Sequence, residues 1–140
     1  MPAIQRYDGP VYRCLRKYRE TARGFPIHLH ILIVSAKYGL ILPQTQIPDY
    51  DVRMTPGAAR IHQYTVQKLL DRCLQYHSHL NSPFNEVFIH LGKTYKQTLE
   101  GFDWGHIRTL EAAGGIGERV SQMKAWLERI KACETIRKQI

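Results

Sequence analysis

The stretch Ile31–Met54, ILIVSAKYGLILPQTQIPDYDVRM, decides the fold that the sequence predicts. It begins with the apolar run Ile31–Val34, which is short and rich in β-branched residues and therefore predicts a strand buried on both faces. Polar and small residues follow at once: Ser35, Lys37, Tyr38 and Gly39. Because ligands bind outside the carboxyl ends of the strands in open α/β sheets, the stretch also predicts a site at this strand end.

The loop after this turn is the second part of the predicted site. Leu40–Leu42 is apolar again, and Pro43 and Pro48 keep the following loop out of a helix. The loop ends in Asp49–Met54, which combines carboxylates, a phenol and a guanidinium. Such a loop between apolar anchors is either a functional site or a solvated connection, and functional residues concentrate on loops held by a rigid scaffold.

A second strand end repeats the arrangement of the first. The apolar run Glu86–Leu91 predicts another interior strand, and Gly92 and an expected short helix with Lys93, Tyr95 and Lys96 follow. If both strands lie in one sheet, their carboxyl ends face one cleft. The alternative is that Tyr95 packs in the core and the lysines are solvated.

The first predicted helix begins at Asp8-Gly9-Pro10, with Asp8 as the N-cap. Its polar face carries Arg13 and Arg16, which are either solvated or available to phosphates. A strand is then expected from about Ile27.

A long helix is predicted from about Ala58 to Tyr76. Apolar spacing places one set of residues on its buried side: Ile61, Thr65, Leu69, Leu70 and Cys73. The side chains expected outside are Gln63, Gln67, Asp71 and Gln75.

The order of elements gives the fold class. A third strand is expected within Ile107–Ala112, and the glycine-rich segment Ala113–Gly117 leads into a last helix. That glycine-rich turn permits either anion binding or a structural use in close packing or a tight turn. Strands that alternate with helices predict a three-layer α/β fold with a small, mainly parallel sheet of about three to four strands covered by helices on both faces.

Length and charge limit the class of protein. The 140 residues suit a single domain, and 44% of them are hydrophobic. The formal net charge is +8, which permits contact with phosphates or other anions without requiring it. No segment has the length and apolarity of a signal peptide or a membrane span, so we expect a cytoplasmic protein with no membrane partner.

Cysteine and histidine spacing does not predict a cofactor. Cys14, Cys73 and Cys133 form no C-x-x-C pair and are expected to be buried thiols in a reducing compartment. His28 and His30 share one face of the expected strand, but no third ligand lies nearby in sequence. We therefore expect neither a metal nor another cofactor.

Two segments of the central stretch resemble a known family. Ser35-Ala36-Lys37-Tyr38-Gly39-Leu40, followed by Ile47–Met54, is similar to the pattern S-[AG]-x-Y-G-[LV] … P-Y-x-x-x-M of the YaaA-like peroxide stress proteins and their small bacterial relatives. The resemblance implies a single YaaA-like α/β domain over residues 1–140 and an association with DNA, iron and oxidative damage. More distant relatives are enzymes that handle modified 7-deazaguanine bases.

Carried over residue by residue, the resemblance implies a site in this chain. The catalytic residues would be Lys37, Tyr38 and Asp51. The substrate-binding residues would be Ser35, Gly39, Tyr50, Arg53 and Tyr95. The small members, however, normally have a strand before the segment that matches Ala3–Pro10, so the expected sheet either lacks a strand or receives one from another chain, and an exposed sheet edge would favour a homodimer.

Three functions are compatible with this pattern. The first is an enzyme that processes a nucleobase or nucleoside, with Lys37 as nucleophile or proton carrier, Asp51 as its partner and Arg53 holding an anion. The second is a non-enzymatic protein that binds nucleic acid or a nucleotide. The third is a degenerate member in which Lys37 and Tyr38 only hold the loop together.

Overall fold

The computed structural model of the protein describes residues 1–81 and 83–139, with side chains described up to residue 133. Within this part the chain is a mixed α/β protein, about half of it helical. The helices are α1 (Ala3–Arg6), α2 (Pro10–Thr21), α3 (Pro56–His79), α4 (Lys93–Lys96) and α5 (Ile116–Gln139), and a 3-10 turn spans Gln97–Leu99. The strands are β1 (Ile33–Ser35), β2 (Gly39–Ile41), β3 (Glu86–Ile89) and β4 (Arg108–Glu111).

The strands form two small sheets instead of one mainly parallel sheet. β1 and β2 pair antiparallel, with Ser35 opposite Gly39, and β3 and β4 pair parallel, with Glu86 opposite Arg108. The predicted three-layer fold around one mainly parallel sheet is therefore wrong, although the mixed α/β class is confirmed. The reason is local: the residues after β1 close a tight turn, so the chain returns along β1.

The first strand also begins later than predicted. Residues 27–32 lie outside the strands, and the amide of Leu29 donates to the carbonyl of Pro26 at 3.1 Å in a turn. His28 and His30 are thus exposed residues of this segment and share no strand face. The third predicted strand is confirmed as β4, with slightly tighter limits.

The chain divides into two compact units. The first comprises residues 1–31, 43–48 and 112–140, and the second comprises residues 32–42 and 49–111. The single domain predicted for residues 1–140 stays a prediction.

The first unit is built on α2 and α5. Leu15 and Tyr18 of α2 are buried, as are Met123 and Leu127 of α5. The Tyr18 hydroxyl donates to the carbonyl of Leu127 at 3.5 Å. The Lys131 ammonium donates to the carbonyl of Ala22 at 2.7 Å, so polar contacts supplement the apolar packing of these helices.

The second unit is built on α3, whose orientation differs from the prediction. The buried side chains are Ala59, Val66 and Leu70, whereas Ile61 is 79% exposed and Leu69 is 39% exposed. Thr65 is also exposed, and only Leu70 and partly Cys73 remain from the predicted buried side.

Two glutamines fix this orientation of α3. Gln63 donates to the carbonyl of Glu100 at 3.1 Å, and Gln67 donates to the carbonyls of Thr98 and Glu100 at 3.1 and 2.8 Å. These side chains were predicted to lie outside. Their bonds to the 3-10 segment turn Ile61 and Leu69 away from the core.

No helix in the described part of the chain is both long and apolar enough to cross a membrane.

Candidate functional site

The segment Ser35–Gly39 is a hairpin turn, held by the chemistry of its first and last residues. The Ser35 hydroxyl oxygen accepts hydrogen bonds from the backbone amides of Lys37 and Tyr38, at 3.2 and 3.1 Å. Gly39 has a φ of +76°, the left-handed conformation that a glycine adopts without strain. The motif that predicted a parallel strand end thus builds an antiparallel turn.

The turn brings three of the predicted site residues together with Tyr50. The hydroxyls of Ser35 and Tyr50 are 2.8 Å apart and share a hydrogen bond. The rings of Tyr38 and Tyr50 meet edge to face, with centroids 5.5 Å apart and planes at 86°. This geometry is a favourable one for two aromatic rings, so Tyr50 is held by both a polar and an aromatic contact.

The Lys37 ammonium lies against both of these rings. Its nitrogen is 5.3 Å from the centroid of Tyr38 and 5.4 Å from that of Tyr50, within the range of cation–π attraction. Lys37 is exposed and Tyr38 is 37% exposed. Among the residues that the structure describes, no carboxylate oxygen lies within 4.0 Å of the Lys37 ammonium, so the predicted pair of Lys37 and Asp51 is not formed.

The remaining predicted residues, Asp51, Arg53 and Tyr95, have different surroundings. Asp51 and Arg53 are exposed in the loop before α3, and within the described residues no hydrogen bond or ion pair joins either of them to Lys37 or Tyr38. Tyr95 is half-buried and packs against the core cluster of Val34, Ala36, Met54 and Ala59. Tyr95 therefore has the environment of a packing residue, as the alternative prediction stated.

The second predicted strand end does not share a sheet with the first. The lysine that ends α4, Lys96, forms an ion pair with Glu111 of β4 at 3.1 Å and is about half exposed. Lys93 is exposed in the first turn of α4. Leu91 and Tyr95 pack against the core cluster that includes Val34 of β1.

His62 is a site residue that the sequence reasoning missed. Its Nε2 atom donates to the carbonyl of Ala36 at 2.8 Å, which ties the hairpin turn to α3. A Cβ on Gly39 would lie 3.5 Å from Nδ1 of His62. The signal was present in the spacing, because His62 lies three residues after Ala59 and four before Val66, on the buried face of α3.

The side chains of Arg13 and Arg16 on α2 form hydrogen bonds and ion pairs within the protein. Asp8 accepts from Arg13 at 3.1 Å and from Arg16 at 3.0 Å, and Gly9 is the N-cap in place of Asp8. Arg16 also donates to the carbonyls of Ile4 and Tyr7, at 2.9 and 2.8 Å. The Arg13 guanidinium beside Asp8 lowers the pKa of that carboxyl below its ordinary value.

The glycine-rich turn before α5 has a structural use. Gln122 accepts from the amide of Ala113 and donates to its carbonyl, both at 2.9 Å. Gly114 has a φ of +95°, and the Glu118 carboxylate lies where a Cβ on Gly114 would be. A carboxylate in the first turn of α5 makes this helix start unsuitable for an anionic ligand, so the contacts favour the tight-turn alternative.

The three thiols are more exposed than the sequence predicted. Cys14 and Cys73 are only half-buried and Cys133 is exposed, so the prediction of buried thiols is wrong for Cys133. Burial raises the pKa of the Cys14 and Cys73 thiols. In residues 1–81 and 83–133, no group of three or more His, Cys, Asp or Glu side chains is arranged to hold a metal ion.

These features define a small basic α/β protein with a lysine and two tyrosines gathered on a hairpin turn. The chain belongs to DUF6884, a family of unknown function whose model matches residues 1–129. The assignment to the YaaA-like proteins is therefore wrong, and the expectations that depended on it lose that support. No curated protein and no solved structure matches the chain.

Proposed function

We propose that the protein binds nucleotides at the hairpin turn, with Lys37 contacting phosphate and Tyr38 contacting the base. The observation that carries the proposal is the Lys37 ammonium 5.3 Å from the ring centroid of an exposed tyrosine, with no carboxylate within 4.0 Å in the described chain. A lysine without an anionic partner can bind phosphate, and an exposed aromatic ring can stack on a base.

The geometry supports binding better than catalysis. The enzyme hypothesis requires Asp51 within hydrogen-bond reach of Lys37. Asp51 is instead exposed and makes no such contact. The Lys37 ammonium instead lies 5.3 Å and 5.4 Å from the ring centroids of Tyr38 and Tyr50, and neither ring can take up its proton as a general base would.

The rigidity of the turn supports a preorganised site. Ser35 is 2% exposed and holds the amides of Lys37 and Tyr38 as well as the hydroxyl of Tyr50. The backbone amides of both proposed ligand-contacting residues are therefore hydrogen-bonded before a ligand binds. Preorganisation lowers the entropic cost of association.

Isothermal titration with nucleosides and nucleoside monophosphates tests the proposal. We expect the monophosphates to bind more tightly than the nucleosides, and Lys37→Met to remove that difference, a loss of about tenfold for one charge-assisted hydrogen bond. Tyr38→Leu should weaken both ligand classes. Lys124→Met removes an exposed lysine of α5 and is the matched control. Equal affinity of wild type and Lys37→Met for the monophosphates would contradict the proposal, and release of free base or phosphate would instead indicate an enzyme.

A further inference from the structure

The outward side of α3 carries an unusual combination of aromatic and cationic side chains. We call Ile61, Tyr64, Lys68, Arg72 and Tyr76 the outer face of α3. They recur at intervals of three or four residues and so lie on one side of the helix. Ile61, Tyr64 and Tyr76 are 79%, 72% and 62% exposed, far more than large side chains that pack against their own domain.

The cations of this face have no acidic partner among the side chains that the structure describes. In the described part of the chain, no carboxylate oxygen lies within 4.0 Å of Lys68 or Arg72. The neighbouring carboxylate, Asp71, accepts a hydrogen bond from Gln75 at 3.0 Å. Lys68 lies 5.5 Å from the ring centroid of Tyr64, so cation and ring are adjacent on the surface.

We propose that the outer face of α3 binds a single-stranded segment of nucleic acid. This inference rests on the proposed function and deepens it, because it names a strand as the ligand class. Tyr64 and Tyr76 are twelve residues apart, or about 18 Å along a helix, with both cations between them. Aromatic side chains that stack on bases, alternating with cations that contact phosphates, are the elements of sequence-tolerant single-strand binding.

Charge and shape favour this occupant over others. A second copy of the chain would place Lys68 and Arg72 close to the same cations, which is repulsive. A duplex would keep its bases stacked on each other and leave Tyr64 and Tyr76 without a stacking partner. The hairpin site belongs to the same compact unit, and His62 of α3 donates to the carbonyl of Ala36 in the turn.

Fluorescence anisotropy with a labelled oligothymidylate of about 15 nucleotides, a length within the known range of single-strand sites, tests the inference. The double variant Tyr64→Ser, Tyr76→Ser should lose affinity by tenfold or more. The double variant Lys68→Gln, Arg72→Gln should reduce the slope of log affinity against log salt by about 1.4, because each phosphate contact of a single strand contributes about 0.7.

The matched control is Arg13→Gln, Lys17→Gln on α2, which removes the same charge from another basic helix. It should leave the anisotropy titration within about twofold of the wild type, since surface changes away from a site have small effects. Thermal melting of each variant checks that it is folded. Equal losses in the control and in the α3 variants would overturn the inference, as would equal affinity for duplex of the same length or full competition by polyglutamate.

The same variants separate the inference from the proposed function. If nucleoside monophosphates bind in a Lys37-dependent way but the α3 variants keep full oligonucleotide affinity, the inference fails and the hairpin site stands. If the α3 variants lose the oligonucleotide while Lys37→Met changes neither ligand, the hairpin site fails and the strand-binding face stands.

Discussion

The basic helices α2 and α3 look alike in sequence but differ in what their cations contact. On α2, Arg13 and Arg16 converge on Asp8, and the Arg16 side chain is only 24% exposed. On α3, Lys68 and Arg72 are exposed, and no carboxylate of the described residues lies within 4.0 Å of them. A net charge of +8 therefore overestimates the number of cationic side chains that are available to a ligand. A single carboxylate before a helix can occupy two of them.

The largest expected effect is a loss of stability that tests the orientation of α3. Leu70→Ala should lower the free energy of unfolding by about 2–5 kcal/mol, because Leu70 is 5% exposed and its truncation leaves a cavity. Ile61→Ala should change it by less than about 0.5 kcal/mol, since Ile61 is 79% exposed. Urea denaturation of both variants measures the contrast. Similar losses would mean that Ile61 lies in the core, as the sequence pattern predicted, and the outer face would then not be a surface.

The anchoring of α2 gives the next effect. Arg16→Met removes the donor to the carbonyls of Ile4 and Tyr7 and should cost about 2 kcal/mol in urea denaturation, because half-buried acceptors lose their partner. Arg13→Met keeps those bonds and should cost clearly less. If Arg16→Met instead left stability unchanged and weakened nucleic-acid binding, the arginines of α2 would be ligand-binding residues and the contrast with α3 would disappear.

The hairpin that lies on α3 can be tested at its glycine. Gly39→Ala should cost about 1–2 kcal/mol, because a φ of +76° is strained for a residue with a Cβ. Gly57→Ala is the control: Gly57 lies in the first turn of α3 without a positive φ, so alanine should be neutral or slightly stabilising there. Thermal unfolding of the two variants measures the difference. If Gly39→Ala left the stability unchanged, the result would contradict the turn geometry and again favour the predicted parallel strand end.

The sequence predicted the elements of this protein better than their arrangement. The long helix predicted from about Ala58 to Tyr76 is found as Pro56–His79, and the strand predicted at Glu86–Leu91 is found as Glu86–Ile89. Both follow from strong local periodicity. The hairpin was missed because an apolar run of strand length does not reveal the direction of its partner, although Ser35 and Gly39 carry ordinary turn chemistry.

The face of α3 could not be decided from periodicity, because both sides of the helix carry apolar residues. Ile61 and Leu69 satisfy one helical stripe, and Val66 and Leu70 satisfy another. The bonds from Gln63 and Gln67 to carbonyls more than thirty residues away select between them. The sequence predicted one candidate site that includes Ser35, Lys37, Tyr38 and Tyr50, and these four residues are in contact at the hairpin turn. The predicted pairing of Lys37 with Asp51 is not formed, because it depended on a loop path that spacing does not specify.

The smallest expected effect concerns Asp8, the carboxylate that distinguishes α2 from α3. Arg13 lowers the pKa of Asp8 below its ordinary value of 3.8 in the folded protein. A lowered pKa means that the ionised form stabilises the fold above pH 3.8 and that this contribution is lost as the pH falls through the folded pKa. The free energy of unfolding of the wild type should therefore fall more steeply below pH 3.8 than that of Asp8→Asn. Asp51→Asn removes an exposed carboxylate without an ion pair among the described residues, so it should keep the wild-type slope. Urea denaturation across this pH range measures the slope for all three proteins. Equal slopes for the wild type and Asp8→Asn would mean that Asp8 does not hold the arginines of α2. These arginines would then be as available to phosphates as the cations of α3.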